Sequence, residues 1–401
     1  MYQYTITDQT SIKWLFETLM LFTPSTTCSG ISMRVEDFLV ERWMNEYEHN
    51  VEVNMAETCV EPFTLREFLT LVGRENFFDT FMDTPLTYGY IEGNPALREG
   101  ISRLYKQTSP DNVLVMGGAI EANFCTLYSL VEPGDTFISV FPTYQQLHSV
   151  PEGFGADVKR LYLRPENLWL PDIEELKELV DGKTRMIVLN NPNNPTGSLM
   201  DETLLRAVCE VAEDYNAYVL CDEAYRGLYI QNEKVPSIVD IYEKGIATGS
   251  FSKPISLTGL RLGWIASNSE VIHECMRHRD YTTISKGLID EALGALAMQH
   301  IDKIMERNIP LVRKNHRLID EWIRNEPLMD WVPPRAGSVG FIKHGLNIGA
   351  QELCIQLIRK KSTFMVPGDC FEMPQYLRIG FGNNIDVLRE GLRRFKDYLH
   401  P

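Results

Sequence analysis

The sequence predicts an α/β protein whose large domain holds a mostly parallel, seven-stranded sheet, with a smaller α+β domain built from both chain ends. Between about residues 111 and 266, seven short β-rich runs alternate with helical segments, which is the pattern of a layered α/β sheet. Several runs are almost continuously apolar, as strands covered on both faces must be. The chain of 401 residues is also too long for one compact core and suits two domains. The runs are Val113–Met116, Thr136–Val140, Val158–Leu163, Met186–Asn190, Tyr218–Cys221, Ile246–Ser250 and Leu262–Ala266.

The segments outside this region have a mainly helical pattern. Residues Val35 to Tyr47 are amphipathic at helical spacing and predict a helix. After residue 270 the pattern is again helical, with a long stretch from Lys286 to Ile323. Two short strands are predicted near the end of the chain, at Val339–Ile342 and Tyr376–Gly380.

The first residues contain two apolar groups, Trp14 to Phe16 and Leu19 to Phe22, which Glu17 separates. Without a basic leader or an unbroken apolar run, they predict neither a signal peptide nor a membrane span. We expect an amphipathic arm that docks on the protein itself or on a partner subunit. The predicted organisation is an N-terminal arm (1–34), a small domain (35–65 plus 287–401) and a large domain (66–286).

The composition excludes several partners. The net charge of -16 repels nucleic acid and anionic membranes, so neither is expected to bind. Apolar residues make up 44% and charged residues 23%, which is typical of a globular cytosolic protein. The eight cysteines form no CxxC pair and no Cys/His set at zinc spacing, so we expect reduced thiols, a cytoplasmic location and no metal site.

The segment from Ser250 to Pro254 places Lys253 at the end of a buried strand. A lysine is unfavourable there unless it is neutralised, paired or used covalently. An imine with an aldehyde cofactor would satisfy this requirement and leave a base near the substrate. Arg261 follows soon after and could clamp a phosphate. The alternative is a surface turn with ordinary basic residues.

Two more strand ends carry polar side chains. In the turn from Asn190 to Gly197, two prolines and a glycine would hold Asn194 rigidly at the carboxyl edge of the sheet, where ligands of α/β proteins bind. Asp222 ends another buried strand and needs a cationic partner, which a pyridinium nitrogen would supply. Tyr225 could donate to the phenolic oxygen of the same ring. The alternatives are a β-to-α turn and a helix N-cap.

Two weaker signals complete the set. The turn at Gly117-Gly118 leads from a strand into a helix, whose free N–H groups could bind an anion, although packing explains most such turns. Tyr144 follows another strand and could stack on a heteroaromatic ring, or it could be a core tyrosine. Taken together, the strand ends offer a lysine, an aspartate, an asparagine and a phosphate cradle at one edge of one sheet.

From about Val53 to the C-terminus the chain resembles the class I/II aminotransferases, which are fold-type I enzymes dependent on pyridoxal 5'-phosphate (PLP). The motifs are the lysine segment with its Gly-x-Arg-x-Gly-Trp ending, the Asn-Pro-Thr-Gly turn and the Asp-Glu-x-Tyr strand end. The resemblance implies that Lys253 binds PLP as a Schiff base, and that Asp222 and Tyr225 are catalytic with it. The implied cofactor-binding residues are Gly118, Ala119, Ile120, Tyr144, Asn194, Asp222, Tyr225, Ser250, Lys253 and Arg261. Ile120 departs from the many members that have Ser or Thr there.

The resemblance also implies substrates and a partner. Arg378 matches the arginine that binds the α-carboxylate, with Asn194 beside it. Tyr88 resembles the tyrosine that reaches the phosphate of the neighbouring subunit, which implies a homodimer with shared active sites. The expected reaction moves the α-amino group of an L-amino acid to a 2-oxo acid.

Two segments, from Asn54 to Thr64 and from Arg279 to Ser285, look more like the capreomycidine synthase branch of the family. That branch binds PLP in the same way but eliminates and cyclises. We therefore keep a PLP-dependent lyase or cyclase as the alternative, and a non-catalytic PLP-binding sensor as a further one. Glu57, Thr58 and Tyr281 are the expected residues on the substrate side.

Overall fold

The computed structural model describes residues 34–401. All but the last residue of the predicted N-terminal arm lie outside this range. No helix within it is both long and apolar enough to cross a membrane.

The central feature is a seven-stranded sheet in the order β2-β8-β7-β6-β5-β3-β4. Its strands are β2 (Val113–Met116), β3 (Thr136–Phe141), β4 (Asp157–Tyr162), β5 (Thr184–Asn190), β6 (Tyr218–Asp222), β7 (Gly245–Ser250) and β8 (Gly263–Ala266). Strand β8 runs antiparallel to both of its neighbours, and the other six strands share one direction. The predicted mostly parallel sheet of seven strands is therefore confirmed, and each strand begins and ends within two residues of its predicted bounds.

Both faces of this sheet are buried. Along β2, Val113 and Val115 belong to one apolar cluster, while Leu114 and Met116 belong to a second. Because successive side chains of a strand point to opposite faces, the two clusters are the cores above and below the sheet. This burial explains the almost continuous apolar runs in the sequence.

Two smaller sheets use strands from the two ends of the described chain. A four-stranded antiparallel sheet has the order β12-β13-β10-β9, and a parallel pair joins β1 to β11. Both predicted late strands are present, as β10 and β13. The domain boundaries themselves stay a prediction. The strands are β1 (Val53–Asn54), β9 (Met329–Trp331), β10 (Val339–His344), β11 (Thr363–Phe364), β12 (Val366–Pro367) and β13 (Tyr376–Gly380).

The α-helices cover the sheets. They are α1 (Leu39–Tyr47), α2 (Leu65–Val72), α3 (Pro95–Ser102), α4 (Ala119–Leu130), α5 (Gln146–Gly153), α6 (Ile173–Leu179), α7 (Glu202–Asp214), α8 (Ser269–Arg279), α9 (Leu288–Gln299), α10 (Ile301–Arg324), α11 (Ala350–Lys361) and α12 (Ile385–Leu399).

The first of these helices corrects the sequence prediction. It begins at Leu39, not at Val35, because Phe38 has an extended backbone (φ -78°, ψ 98°) and provides no side-chain cap. The helical spacing of apolar residues continues through the residues before Leu39, although their backbone is not helical, so periodicity alone predicted too early a start. The long helical stretch predicted from Lys286 to Ile323 is also divided, since α9 ends at Gln299 and α10 starts at Ile301.

Candidate active site

A cavity of about 390 Å³ lies where β5, β6 and β7 end, at Asn190, Asp222 and Ser250. The parallel strands end at one edge of the sheet, so the polar residues that follow them converge there. Thirteen of the residues predicted from the sequence line this cavity. They are Glu57, Thr58, Gly118, Ala119, Ile120, Tyr144, Asn194, Asp222, Tyr225, Ser250, Lys253, Arg261 and Arg378.

Lys253 lies among hydroxyl, thiol and carboxylate groups. Its Nζ is 2.6 Å from Thr58 Oγ1 and 3.4 Å from Cys59 Sγ. Burial works against the cation, yet the pKa of the lysine is raised because the acidic groups of Cys59, Tyr225 and Glu57 surround it. The amine is thus held at the cavity by residues almost two hundred positions earlier in the chain.

Asp222 is buried, with 3% of its surface exposed. Asn123 Nδ2 donates to its Oδ2 at 2.8 Å, and the Ala224 N–H donates to its Oδ1 at 2.9 Å. Asn123 is itself held by Thr248 Oγ1, which donates to Asn123 Oδ1 at 2.7 Å. Burial raises the pKa of Asp222. Both of its hydrogen-bond donors among the described residues are uncharged, so the carboxylate can still pair directly with a cationic group of a ligand.

The start of α4 forms an anion cradle. Gly118 precedes the helix with a φ of 88° and no capping side chain, so the first N–H groups have no side-chain acceptor. A Cβ on Gly118 would stand 3.3 Å from a terminal guanidinium nitrogen of Arg261, and a Cβ on Gly263 would collide with the Gly118 backbone. Free N–H groups, a helix N-terminus and an arginine together fit a phosphate. Ile120 contributes no hydroxyl to this cradle.

Arg378 lies on β13 opposite Phe341 and is only 4% exposed. One guanidinium nitrogen donates to Asn194 Oδ1 at 3.4 Å, whereas Nε has no partner among the described residues. A buried guanidinium with an unused donor, facing a cavity, is suited to binding a carboxylate through two parallel hydrogen bonds.

The aromatic and amide residues complete the walls. Tyr225 is buried, and burial raises its pKa, with Lys253 and Arg378 acting in the opposite direction. The ring of Tyr144 packs on Phe38 with centroids 4.9 Å apart. The N–H of Asn194 donates to the Asn190 side chain at 2.6 Å, which holds the turn after β5 in place.

These observations test whether PLP fits the site. Asp222 offers a carboxylate, the start of α4 offers N–H groups beside Arg261, and the Lys253 amine lines the same cavity. A ring with a protonated nitrogen, a phosphate and an aldehyde supplies the three complementary groups. The residues present therefore fit the cofactor.

The single chain does not bring every predicted residue to the cavity. Tyr88 and Tyr281 are 73% and 85% exposed and do not line it. Conversely, sequence reasoning missed Asn123, although an asparagine inside the apolar helix after the Gly-Gly turn was an available signal. It also missed seven further lining residues: Val40, Glu41, Met44, Asn190, Ala224, Ser252 and Thr258.

Comparison with known proteins agrees with this geometry. The profile of the family described as aminotransferase class I and II matches residues 81–395. A solved PLP-dependent aminotransferase of Streptococcus suis is 40% identical and superposes with a TM-score of 0.89, covering 91% of this chain and 98% of that one.

Two sequence relatives carry different names. Capreomycidine synthase of Streptomyces vinaceus is 27% identical over 90% of this chain and 93% of its own length. Aspartate aminotransferase of Pyrococcus horikoshii is 30% identical over 77% of this chain and 81% of its own length. The family match, the fold and the fitted site lead to one conclusion: this chain belongs to the aminotransferase class I and II family of enzymes, and its cofactor is PLP.

Proposed function

We propose that the protein is an aminotransferase that moves the α-amino group of an L-amino acid to a 2-oxo acid. The observation that supports this most directly is the buried guanidinium of Arg378, which lines the same cavity as the Lys253 amine. Both substrates of the reaction carry a carboxylate next to the reacting carbon. A fixed arginine near a lysine base can therefore orient either of them.

Residues of the cavity can be assigned to hold each chemical group of the cofactor. The N–H groups of Gly118, Ala119 and Ile120, with Ser250 and Arg261, would hold the phosphate. Asp222 would pair with the ring nitrogen, Asn194 and Tyr225 would donate to the phenolic oxygen, and Tyr144 would stack on the ring. When bound, PLP supplies an electron sink that makes the α-hydrogen of an amino acid acidic.

The chain's own groups position the substrate and move the proton. Arg378 binds the α-carboxylate and so fixes where the α-carbon lies. The Nζ of Lys253 is the base that takes the α-proton and later returns a proton. The Thr58 hydroxyl, 2.6 Å from that nitrogen, holds the amine in the cavity.

A second candidate is a lyase or cyclase that uses the same residues and then expels a leaving group from the substrate. It is favoured by the capreomycidine synthase relative, which matches over 93% of its own length. It is also favoured by the segment containing Glu57 and Thr58, where many family members have a glycine-rich loop.

The two candidates differ in what happens without an acceptor. The holoenzyme is mixed with a panel of L-amino acids and no 2-oxo acid. An aminotransferase releases at most about one equivalent of 2-oxo acid per site, then stops until a 2-oxo acid is added, because its two half-reactions alternate. Continued turnover with release of ammonia or a cyclic product would reject transamination and favour the second candidate.

Replacing Lys253 tests the catalytic assignment. Lys253→Ala should abolish turnover with every amino acid, whereas Lys343→Ala, which removes an exposed lysine on β10, should leave it unchanged. Near-normal turnover of the Lys253 variant would contradict the assignment.

We further propose a cytoplasmic homodimer with shared sites. Leu86, Tyr88 and Tyr281 are 84%, 73% and 85% exposed, which leaves these large side chains available to contact a second copy of the chain. In the dimer, Tyr88 would reach the partner's phosphate site and Tyr281 its substrate side. The seven cysteines of residues 34–401 are free, which is compatible with a reducing compartment.

A further inference from the structure

Two charged side chains of the cavity are left without a role in the proposed function. The cofactor and the α-carboxylate account for Asp222, Lys253, Arg261 and Arg378. The remaining charges of the lining are the carboxylates of Glu57 and Glu41. A ligand that fills the rest of the cavity therefore meets a negative wall.

Glu57 is ionised in this environment. Burial alone would raise its pKa, but the nearby Lys253 cation and the hydrogen bond from the Cys59 N–H lower it below the usual value. The Cys59 N–H donates to Glu57 Oε1 at 2.7 Å, which fixes the position of the carboxylate. The charge is thus both present and held in place.

Glu41 comes from a different part of the fold, the first turn of α1. Its Oε1 lies 3.5 Å from the Tyr144 hydroxyl, which donates to it. A third carboxyl group, that of Glu48, lies close enough for Glu57 and Glu41 to change its pKa. Burial raises the pKa of Glu48, and Glu57 and Glu41 add to the rise against the opposing effect of His49.

The part of α1 that lines the cavity also contributes apolar side chains. Val40 and Met44, on the same helix as Glu41, line the cavity beside it. Methylene groups packed on these two residues would place a terminal cation at the carboxylates, while Arg378 holds the other end of the ligand.

Among the described residues, a distal carboxylate would find no cation in the cavity lining beyond those already assigned. The exposed segments that we assign to the dimer contact, residues 86–91 and 281–285, contain neither Lys nor Arg. The neighbouring Arg279 donates to the carbonyl oxygens of Val115 and Ile91, and Lys286 is paired with Glu121.

We propose that the substrate is an L-amino acid whose side chain ends in a cation, recognised by Glu57 and Glu41. The inference rests on the proposed function, because it takes the roles of Lys253 and Arg378 from it. It predicts that L-aspartate and L-glutamate are poor substrates, although several relatives are named aspartate aminotransferases.

The test compares matched pairs of amino acids on the holoenzyme. L-lysine is set against L-norleucine, and L-arginine against L-citrulline, because each pair differs mainly in the charge. We expect kcat/KM for consumption of the cationic member to exceed that of the neutral one by at least about tenfold. Consumption is scored whatever the product, so a lyase reaction would overturn the proposed transamination and leave this inference standing.

Binding gives a second readout. The dissociation constants of the four amino acids and of L-glutamate are measured by calorimetry on the PLP-loaded Lys253→Ala variant, which cannot turn the ligand over. The proposal is overturned if the neutral member of each pair binds as tightly as the cationic one, if L-glutamate binds better than L-lysine, or if no probe binds.

Substitutions then locate the selectivity. Glu57→Gln and Glu41→Gln should each lower the ratio of kcat/KM for L-lysine over L-norleucine by about three- to tenfold. The ratio is used because a change at Glu57 also affects Lys253, and that effect is common to both amino acids. Glu46→Gln removes an exposed carboxylate from the same helix outside the cavity and should leave the ratio unchanged. An unchanged ratio in both cavity variants would contradict the assignment.

Discussion

At the scale of single residues, the Asp222 carboxylate is held by hydrogen-bond donors that carry no charge themselves. Asn123 is fully buried and connects the Thr248 hydroxyl to the Asp222 carboxylate. Asp222 is therefore positioned by uncharged hydrogen-bond donors, and its charge stays available to the ring nitrogen of the cofactor. A salt bridge at this place would compete with the cofactor for the same carboxylate.

We predict that Asn123→Ala weakens cofactor binding and lowers stability. The change leaves buried oxygens of Asp222 and Thr248 without partners, which costs about 1–3 kcal/mol of unfolding free energy per group. The PLP dissociation constant should rise at least about tenfold, since the carboxylate loses the donor that orients it. Equilibrium dialysis and urea unfolding measure the two effects.

Thr126→Val is the matched control for this prediction. Thr126 is buried on the same helix, and its hydroxyl donates only to the Ala122 carbonyl one turn earlier. It should leave cofactor affinity unchanged. If Asn123→Ala also left it unchanged, the supporting role of Asn123 would be wrong.

At the scale of elements, the start of α9 anchors the loop that carries Tyr88. Glu291 is 1% exposed, and its Oε1 accepts a hydrogen bond from the Asn94 N–H at 3.2 Å. The loop passes so close that a Cβ on Gly89 would stand 3.2 Å from Glu291 Oε2. One buried carboxyl group thus ties a helix to the segment proposed to enter the partner's site.

This contact predicts a pH dependence of stability. Burial raises the pKa of Glu291 to about 7, against the opposing effects of the Asn94 hydrogen bond, Arg279 and Lys286. A carboxyl group whose pKa is higher folded than unfolded favours folding when protonated. Its effect is therefore a loss of stability as the pH rises from about 4.5 to about 7, on the order of 3 kcal/mol.

Glu291→Gln should remove that loss, because glutamine keeps the acceptor oxygen and does not titrate. Relative to the wild type, the variant should gain stability between about pH 5 and pH 8. Urea unfolding at both pH values measures this, with the exposed Glu321→Gln as control. An equal pH dependence of variant and wild type would refute the assignment to Glu291.

At the scale of the whole molecule, the site uses residues from nearly the full described length of the chain. Thr58 contacts Lys253 across 195 positions, and Arg378 reaches Asn194 across 184. In the proposed dimer, Tyr88 of a second copy would be added to these residues of the site. In that dimer, completing the site would require both ends of the chain and a neighbouring subunit.

Mixing two inactive variants tests the shared site. Lys253→Ala and Tyr88→Ala should each lose activity alone. In a mixed dimer, the Tyr88→Ala chain supplies an intact Lys253 and its partner supplies an intact Tyr88, so one site is complete. An equal mixture that exchanges subunits should recover about a quarter of wild-type activity.

The control for this experiment is Lys253→Ala mixed with Asp222→Ala. Both residues belong to the same chain's cavity, so neither mixed site is complete and no activity should return. Recovery in the control, or none in the test pair, would argue against sharing through Tyr88.

Local chemistry was enough to predict the sheet and the polar residues at the strand ends, whereas the family resemblance supplied other candidate site residues such as Arg378 and Glu57. Apolar runs located all seven strands because a strand buried on both faces must be apolar. The lysine, asparagine and aspartate could be placed at one edge of the sheet because parallel strands end together. The helix predicted to start at Val35 was wrong because periodicity does not reveal where the backbone becomes extended.

What the sequence by itself determined was therefore the α/β fold and the positions of the residues that follow the strands. Only the tertiary structure decided that Arg378 has an unused donor, that Asn123 supports Asp222, and that Glu41 on α1 faces the cavity. Each of these depends on contacts between residues from distant parts of the chain. The local sequence pattern carries no information about such contacts, because they form only when the whole chain is packed.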